Sequence, residues 1–175
     1  MTSQPARYSV LNLETAPSAS APLLERINSI FGGILPLKGV MANSPVTLKS
    51  YLDILGNMND TDFTKIEQQS IYLVASMYNG CGYCTDAHSR GLKKIFKMPE
   101  DQVDAILSGR PTGDEKIDAL VNVTQEILET RGAISDEARH RFLQAGYTDN
   151  QLIDLLSALA MKLITNYLGR LSGLG

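Results

Sequence analysis

The residue types best suited to chemistry are concentrated in residues 79–88, NGCGYCTDAH. If the Asn-Gly pair ends one helix, both cysteines fall in the first turn of the next. Helical offsets of three, four and seven residues then place Cys81, Cys84 and His88 on one face. A helix N-terminus and a Cys-x-x-Cys spacing favour the thiolate, and an imidazole one turn along can accept the thiol proton. The stretch therefore predicts a redox dithiol.

Three other interpretations of these residues compete with the dithiol. Free cysteines can serve as small buried hydrophobes. Cys81, Cys84 and His88 could bind zinc, but a closed site needs a fourth ligand, and His140, far along the chain, is the only other histidine. A Cys-His hydrolase would leave the second cysteine unexplained. We therefore expect no metal.

The elements that must position these residues are predicted to be helices. Apolar residues recur at spacings of three and four, and no stretch alternates as a strand does. Thr112 with Glu115, and Thr148 with Gln151, have the spacing of capping boxes. The sequence predicts an all-α protein of about eight helices. They cover residues 23–31, 45–58, 62–78 or 64–78, 81–96, 99–109, 114–131, 135–146 and 149–171.

Length and composition limit the class of protein. The 175 residues, 43% apolar and 20% charged, suit one globular domain, which we place at residues 21–175 behind an extended arm of residues 1–20. A net charge of −3 gives no reason to expect nucleic acid or an anionic membrane as partner. No run of 18 apolar residues and no secretory h-region are found, so we expect a cytoplasmic protein without a membrane span.

The last predicted helix carries a second indication. Between residues 152 and 168 the only charged residues are Asp154 and Lys162, and apolar side chains point in most directions. A helix that is apolar all round is covered on more than one side. Either it is the central helix of one chain, or a second copy of the chain covers part of it.

The central stretch, QSIYLVASMYNGCGYCTDAH at residues 69–88, resembles the AhpD-like alkylhydroperoxidases of the carboxymuconolactone decarboxylase family. The family signature is a glutamate, eleven residues and Cys-x-x-Cys-x-x-x-His, usually with Asn-Gly before the first cysteine. The Ser44-Pro45 helix start and the AGYTD run at residues 145–149, ahead of a long apolar helix, also look like family members. The resemblance covers about residues 20–170.

The resemblance implies an all-helical trimer or hexamer that reduces organic hydroperoxides without a cofactor. Cys84 would attack the peroxide, Cys81 would resolve the sulfenic acid, and His88 would relay protons. An external dithiol, of the dihydrolipoyl type in well-known members, would restore the pair. From the residues alone the two cysteine roles stay open. We expect Cys81, nearer the helix N-terminus, to be the more exposed and to exchange with the reductant.

Gln69 stands where the family signature has its glutamate. An amide cannot accept a proton as a carboxylate does. Glu67 lies two residues before Gln69, and Asp86 lies two residues from both Cys84 and His88. On a helix, an offset of two residues turns a side chain by about 200°, so neither carboxylate is an obvious replacement. A slow peroxidase, a disulfide-exchange protein, or a redox-responsive or structural oligomeric module are therefore alternatives. Decarboxylase members of the family typically lack the paired cysteines, which argues against that activity.

Tyrosines surround the predicted site. Tyr72, Tyr78 and Tyr83 flank the cysteines and are most simply residues of the core or of a pocket wall. A channel for an organic hydroperoxide is the alternative role for these rings.

Overall fold

A computed structural model describes residues 7–174, and this part of the chain contains nine α-helices and no β-strand. The all-α prediction is confirmed, and all eight predicted helices are present, with ends that differ by at most three residues. The helices are α1 Ala21–Phe31, α2 Pro36–Met41, α3 Pro45–Asn57, α4 Lys65–Tyr78, α5 Gly82–Lys94, α6 Glu100–Leu107, α7 Glu115–Thr130, α8 Asp136–Gln144 and α9 Asp149–Ser172.

Helix α2 is the one that the sequence pattern missed. It has six residues, PLKGVM, and begins with a proline in its first turn. Fewer than two turns are too few to establish a 3.6-residue period. At Gly39 a Cβ would lie 2.5 Å from the carbonyl oxygen of Leu11, so only glycine allows this close approach of the N-terminal segment.

The N-terminal segment, residues 7–20, forms turns that lie against two helices. The Leu11 N–H donates to the Gly39 carbonyl in α2, and the Arg7 N–H donates to the Ser172 carbonyl in α9, both at 3.2 Å. The predicted arm also includes residues 1–6, which lie outside the described residues. The division of the chain at residue 20 stays a prediction.

The start of α7 differs from the capping box expected there. Asp114 is the N-cap, and its carboxylate accepts from the N–H groups of Lys116 and Ile117. The Thr112 hydroxyl instead donates to Asp118 at 2.8 Å. The Thr112–Glu115 box is therefore wrong, because a short carboxylate next to the helix reaches its free N–H groups first.

Helix α4 lies at the centre of the molecule and packs against α5, α6, α7 and α9. Residues 70–76 along it are all buried. The larger core cluster joins it to α1, α3, α7, α8 and α9, and a smaller cluster joins it to α5, α6 and α7. Since α4 ends directly before the cysteines, the core fixes the position of the redox motif.

Helix α9 begins with the predicted capping box of Thr148 and Gln151 and runs for 24 residues. By length and composition it could cross a membrane, with a mean hydropathy of 1.3 over its best window, although we expected no such span. Its inner face packs against α2, α3, α4 and α5, as a core helix does. The opposite face exposes a row of large apolar side chains, Ile153, Leu156, Leu163, Tyr167 and Leu171, which we call the α9 stripe.

Candidate active site

The turn between α4 and α5 presents the two cysteines as the sequence predicts. Asn79 ends α4, and Gly80 reverses the chain in a left-handed conformation, with φ of +65°. Cys81 is then the N-cap of α5, where its Sγ accepts from the Cys84 N–H at 3.4 Å. The Cys-x-x-Cys motif at a helix N-terminus is confirmed.

Cys81 and Cys84 form a disulfide, with their Cα atoms 5.3 Å apart. Both are buried: the exposed fraction is 0% for Cys81 and 3% for Cys84. The expectation that Cys81 is the more exposed is wrong. The Cys81 N–H donates to the Ser76 carbonyl of α4, which keeps Cys81 close to the end of that helix. Cys84, in contrast, lines a pocket.

Helix α9 holds this turn from the other side through a buried polar network. The Asn79 amide donates to Asn166 at 3.1 Å, and the Asn166 amide donates to the Ser76 hydroxyl at 3.2 Å. Arg170 donates to the Asn79 carbonyl at 3.0 Å. The motif is thus fixed by side chains that lie far from it in the sequence.

His88 lies between Gln69 and a lysine of α9. Its Nδ1 is 2.8 Å from the side-chain amide oxygen of Gln69, and its Nε2 is 2.7 Å from Lys162 Nζ. Because the amide oxygen only accepts and an ammonium only donates, Nδ1 carries the proton and Nε2 accepts from Lys162. Burial and the charges of Lys162 and Lys38 hold the pKa of His88 well below its ordinary value, so the imidazole is neutral.

One cavity of about 140 Å³ collects these groups. Helices α2, α3, α4, α5 and α9 and the end of α1 contribute to its walls. The structure thus brings Gln69, Cys84 and His88 together, whereas Cys81 lies behind Cys84 and does not line the cavity. The lining residues are Phe31, Leu35, Leu37, Lys38, Tyr51, Leu55, Gln69, Tyr72, Tyr83, Cys84, Ala87, His88, Met161, Lys162 and Thr165.

Two buried lysines in this cavity were not predicted as site residues. Lys38 is 6% exposed and Lys162 is 3% exposed. Burial lowers the pKa of Lys162 to about 7. Burial and the nearby charge of Lys162 lower the pKa of Lys38 well below its ordinary value. The signal in the sequence was a single lysine within an apolar helix, which occurs in both α2 and α9.

The tyrosines near the motif divide between the cavity and the surface. Tyr72 and Tyr83 line the cavity, as does Tyr51 of α3, whereas Tyr78 is half exposed. The Tyr72 ring packs against the His88 ring, with centroids 5.5 Å apart. Burial raises the pKa of both Tyr51 and Tyr72, so their hydroxyls keep their protons.

Neither neighbouring carboxylate replaces the glutamate of the family signature. Glu67 bonds Lys116 at 2.9 Å and the Tyr147 hydroxyl at 3.0 Å, on the side of α4 away from His88. Asp86 pairs with Arg90 on the surface. The cavity that Cys84 lines therefore holds no carboxylate, and His88 and Lys162 are among its titratable groups.

Comparison with known proteins agrees with this fold. The model of the carboxymuconolactone decarboxylase family matches residues 45–126. Alkyl hydroperoxide reductase AhpD of Hyphomonas neptunium is 25% identical over 131 residues, which are 75% of this chain. The chain spans 65% of the length of that relative.

Solved structures match over nearly the whole chain. The AhpD-core, peroxidase-related protein of Ralstonia eutropha superposes with a TM-score of 0.81 at 20% identity, covering 98% of this chain and 92% of its own. The debrominase Bmp8, in complex with 2,3,4-tribromopyrrole, superposes with a TM-score of 0.77 at 13% identity, covering 97% and 91%. At these identities the structural matches establish the fold, and one fold can serve different reactions. The structural matches thus show an AhpD-like fold, and the family model over residues 45–126, together with the Cys-x-x-Cys-x-x-x-His motif, supports a relationship to the carboxymuconolactone decarboxylase family.

Proposed function

We propose that the protein is a thiol-dependent reductase of organic hydroperoxides that cycles between the Cys81–Cys84 dithiol and disulfide. The observation that carries the proposal is that Cys84, already paired with Cys81, lines a largely apolar cavity beside His88 and Lys162. An antioxidant role of the AhpD type is consistent with this arrangement and with the family.

The first step oxidises Cys84. Its thiolate attacks the terminal oxygen of the hydroperoxide, an S–O bond forms, and the O–O bond breaks. The sulfur loses two electrons and becomes a sulfenic acid, while the peroxide gains them and leaves as an alkoxide. The alkoxide takes one proton and is released as the alcohol.

His88 and Lys162 handle the protons in this proposal. The Cys84 thiol gives its proton to this pair, and the ammonium of Lys162 returns it to the departing alkoxide. A lysine with a pKa of about 7 is half protonated at neutral pH, so it can act in both directions. Gln69 keeps the histidine proton on Nδ1, so that Nε2 faces Lys162.

The second step closes the disulfide, and an external dithiol reopens it. The Cys81 thiol attacks Cys84 Sγ, an S–S bond forms, and hydroxide leaves with the thiol proton as water. The dithiol reductant then exchanges with the disulfide and is itself oxidised to a disulfide. We place the protein in the cytoplasm, where such reductants are kept reduced, as a homo-oligomer built on the α9 stripe.

A single-turnover experiment tests the proposal. Fully reduced protein is mixed with a slight excess of cumene hydroperoxide, and free thiols and intact mass are followed with time. We expect both thiols to be lost much faster than from a free dithiol, with a mass decrease of about two daltons as one disulfide forms. Loss at the rate of an ordinary thiol would overturn the proposal.

Single cysteine variants test the two roles. Cys81→Ser should stop at a sulfenic acid on Cys84, which dimedone captures as an adduct of defined mass. Cys84→Ser should react no faster than a free thiol. The reverse pattern would assign the peroxide to Cys81.

Disulfide exchange without peroxide turnover is the second candidate, favoured by Gln69 in place of a carboxylate. It predicts slow thiol loss with hydroperoxide but rapid reduction of the disulfide by dihydrolipoamide. Decarboxylation of a carboxymuconolactone-type acid needs no dithiol, so that activity would survive in Cys84→Ser.

A further inference from the structure

We infer that Lys38, with the hydroxyl groups of Tyr51 and Tyr72, binds a carboxylate of the substrate, so that the hydroperoxide reduced is a carboxylated organic one. The hydroperoxide part of this inference rests on the proposed function. The carboxylate part rests on the cavity alone.

The first observation is a buried lysine with no carboxylate on the cavity that it lines. Lys38 is 94% buried and lines the cavity, and none of the residues that line this cavity is an aspartate or a glutamate. Its Nζ lies over the Tyr51 ring, 3.4 Å from the ring centroid. The face of a ring offsets only a small part of the cost of taking an ammonium from water.

The second observation is an unpaired hydroxyl on the same cavity. The Tyr72 hydroxyl is buried and has no hydrogen-bond partner among the residues that the structure describes. Buried polar groups are nearly always paired, so an unpaired one needs an explanation. Tyr72 is one of the residues that line the cavity, so its hydroxyl is the unpaired donor nearest to hand for a ligand that accepts a hydrogen bond there.

Together these groups make the cavity rich in donors and poor in acceptors. Two lysines and three tyrosines line it, and none of its lining residues is an aspartate or a glutamate. Burial and the charge of Lys162 hold the pKa of Lys38 well below its ordinary value. Both effects disfavour the charged form of Lys38, and a bound anion would offset them.

A carboxylate is the ligand group that fits. It accepts hydrogen bonds from an ammonium and from hydroxyls, and charge-assisted bonds of this kind are the strong ones. The other walls are apolar, including Leu37, Leu55 and Met161, and suit a hydrocarbon body. The peroxide end would then lie toward Cys84, and the carboxylate toward Lys38.

The test compares a hydroperoxide that carries a carboxylate with its uncharged methyl ester. Reduced protein is oxidised in single turnover by an omega-carboxylated tertiary alkyl hydroperoxide and by its methyl ester. We expect the acid to react at least about tenfold faster than the ester, since one charge-assisted hydrogen bond is worth that much. Equal rates for the two compounds would overturn the inference.

Variants of Lys38 assign the preference. Lys38→Met should lower the acid-to-ester rate ratio by about tenfold, whereas Lys38→Arg and the exposed control Lys97→Met should keep it. If Lys38→Met slowed both compounds equally, the ratio would be unchanged. Lys38 would then act on the sulfur, and the inference would be wrong.

A binding measurement separates this inference from the proposed function. Oxidised wild-type protein and Lys38→Met are titrated calorimetrically with hexanoate and with methyl hexanoate, neither of which is a peroxide. Hexanoate should bind the wild type at least about tenfold more tightly than its ester, and Lys38→Met should lose that difference. Selective binding without peroxide turnover would overturn only the proposed function, and a lack of selectivity would overturn only the inference.

Discussion

At the scale of single residues, the site depends on an amide where the family has a carboxylate. The side-chain oxygen of Gln69 accepts a hydrogen bond from the Nδ1–H group of His88 but cannot take up the proton. The imidazole therefore stays neutral between the amide and Lys162. The absence of the glutamate could be predicted from the spacing to Cys81. The substitute could not, because Lys162 is brought to His88 by a helix 74 residues further along the chain.

Gln69→Glu tests this arrangement. A carboxylate beside Nδ1 would stabilise the imidazolium, so we expect the His88 pKa, followed by NMR, to rise. The rate of Cys84 oxidation should increase by about tenfold or more as base catalysis is restored. Gln102→Glu in α6 is the control for an added charge. A slower variant would show that the amide itself is required.

Lys162→Met tests the cost of the buried lysine through its pH dependence. Lys162 binds a proton below about pH 7 in the folded protein but up to about pH 10 when unfolded. Between these values the unfolded state holds more protons, so the stability of the wild type should rise with pH, by up to about 1.4 kcal/mol per pH unit.

Lys162→Met should lose the part of this rise that Lys162 contributes, while the part from Lys38 remains. It should be more stable than the wild type below about pH 7, where the penalty of Lys162 is fully present. Urea unfolding at several pH values measures both effects, with Lys97→Met as the control. Parallel pH profiles for the variant and the wild type would contradict a shifted pKa.

At the scale of elements, the predictable parts are those with a long period or a strong end signal. Helices α4 and α5 could be delimited because the Asn-Gly pair separates them. Helix α2 could not, since six residues show no period, and with it Lys38 was missed. The pairing of Cys81 with Cys84 follows from their spacing in the sequence. Their relative burial depends on how α9 packs against the turn between α4 and α5.

Asn166→Ala tests whether α9 stabilises the turn between α4 and α5. The change leaves the Asn79 amide without its acceptor and Ser76 without its donor, both in a buried setting. Leaving such groups unpaired should lower the free energy of unfolding by about 1–3 kcal/mol. Urea unfolding of the variant and of Asn122→Ala, an exposed asparagine of α7, checks this. Equal losses in both variants would mean that the network adds nothing.

At the scale of the whole molecule, α9 has two faces with different roles. Its inner face brings Lys162, Asn166 and Arg170 to the site, and its outer face carries the α9 stripe. The sequence predicted an apolar helix covered on several sides. Which side stays uncovered depended on packing that composition alone does not encode.

The double variant Leu156→Glu/Leu163→Glu tests whether a second copy covers the α9 stripe. Burying each such leucine contributes about 1.5–3 kcal/mol, so two buried charges should abolish association. Sedimentation velocity should show an oligomer for the wild type and a folded monomer for the variant. Ile95→Glu, an exposed apolar residue of the α5 end, should leave the oligomer intact. A monomeric wild type would contradict this role of α9.

The burial of Cys81 behind Cys84 has a kinetic consequence. Of the two cysteines only Cys84 lines the cavity, so in the proposed cycle the hydroperoxide and the dithiol would use the same entrance at different times. We therefore expect ping-pong kinetics, with parallel lines in double-reciprocal plots. At high concentration each substrate should inhibit the other by occupying the form of the enzyme with which it cannot react.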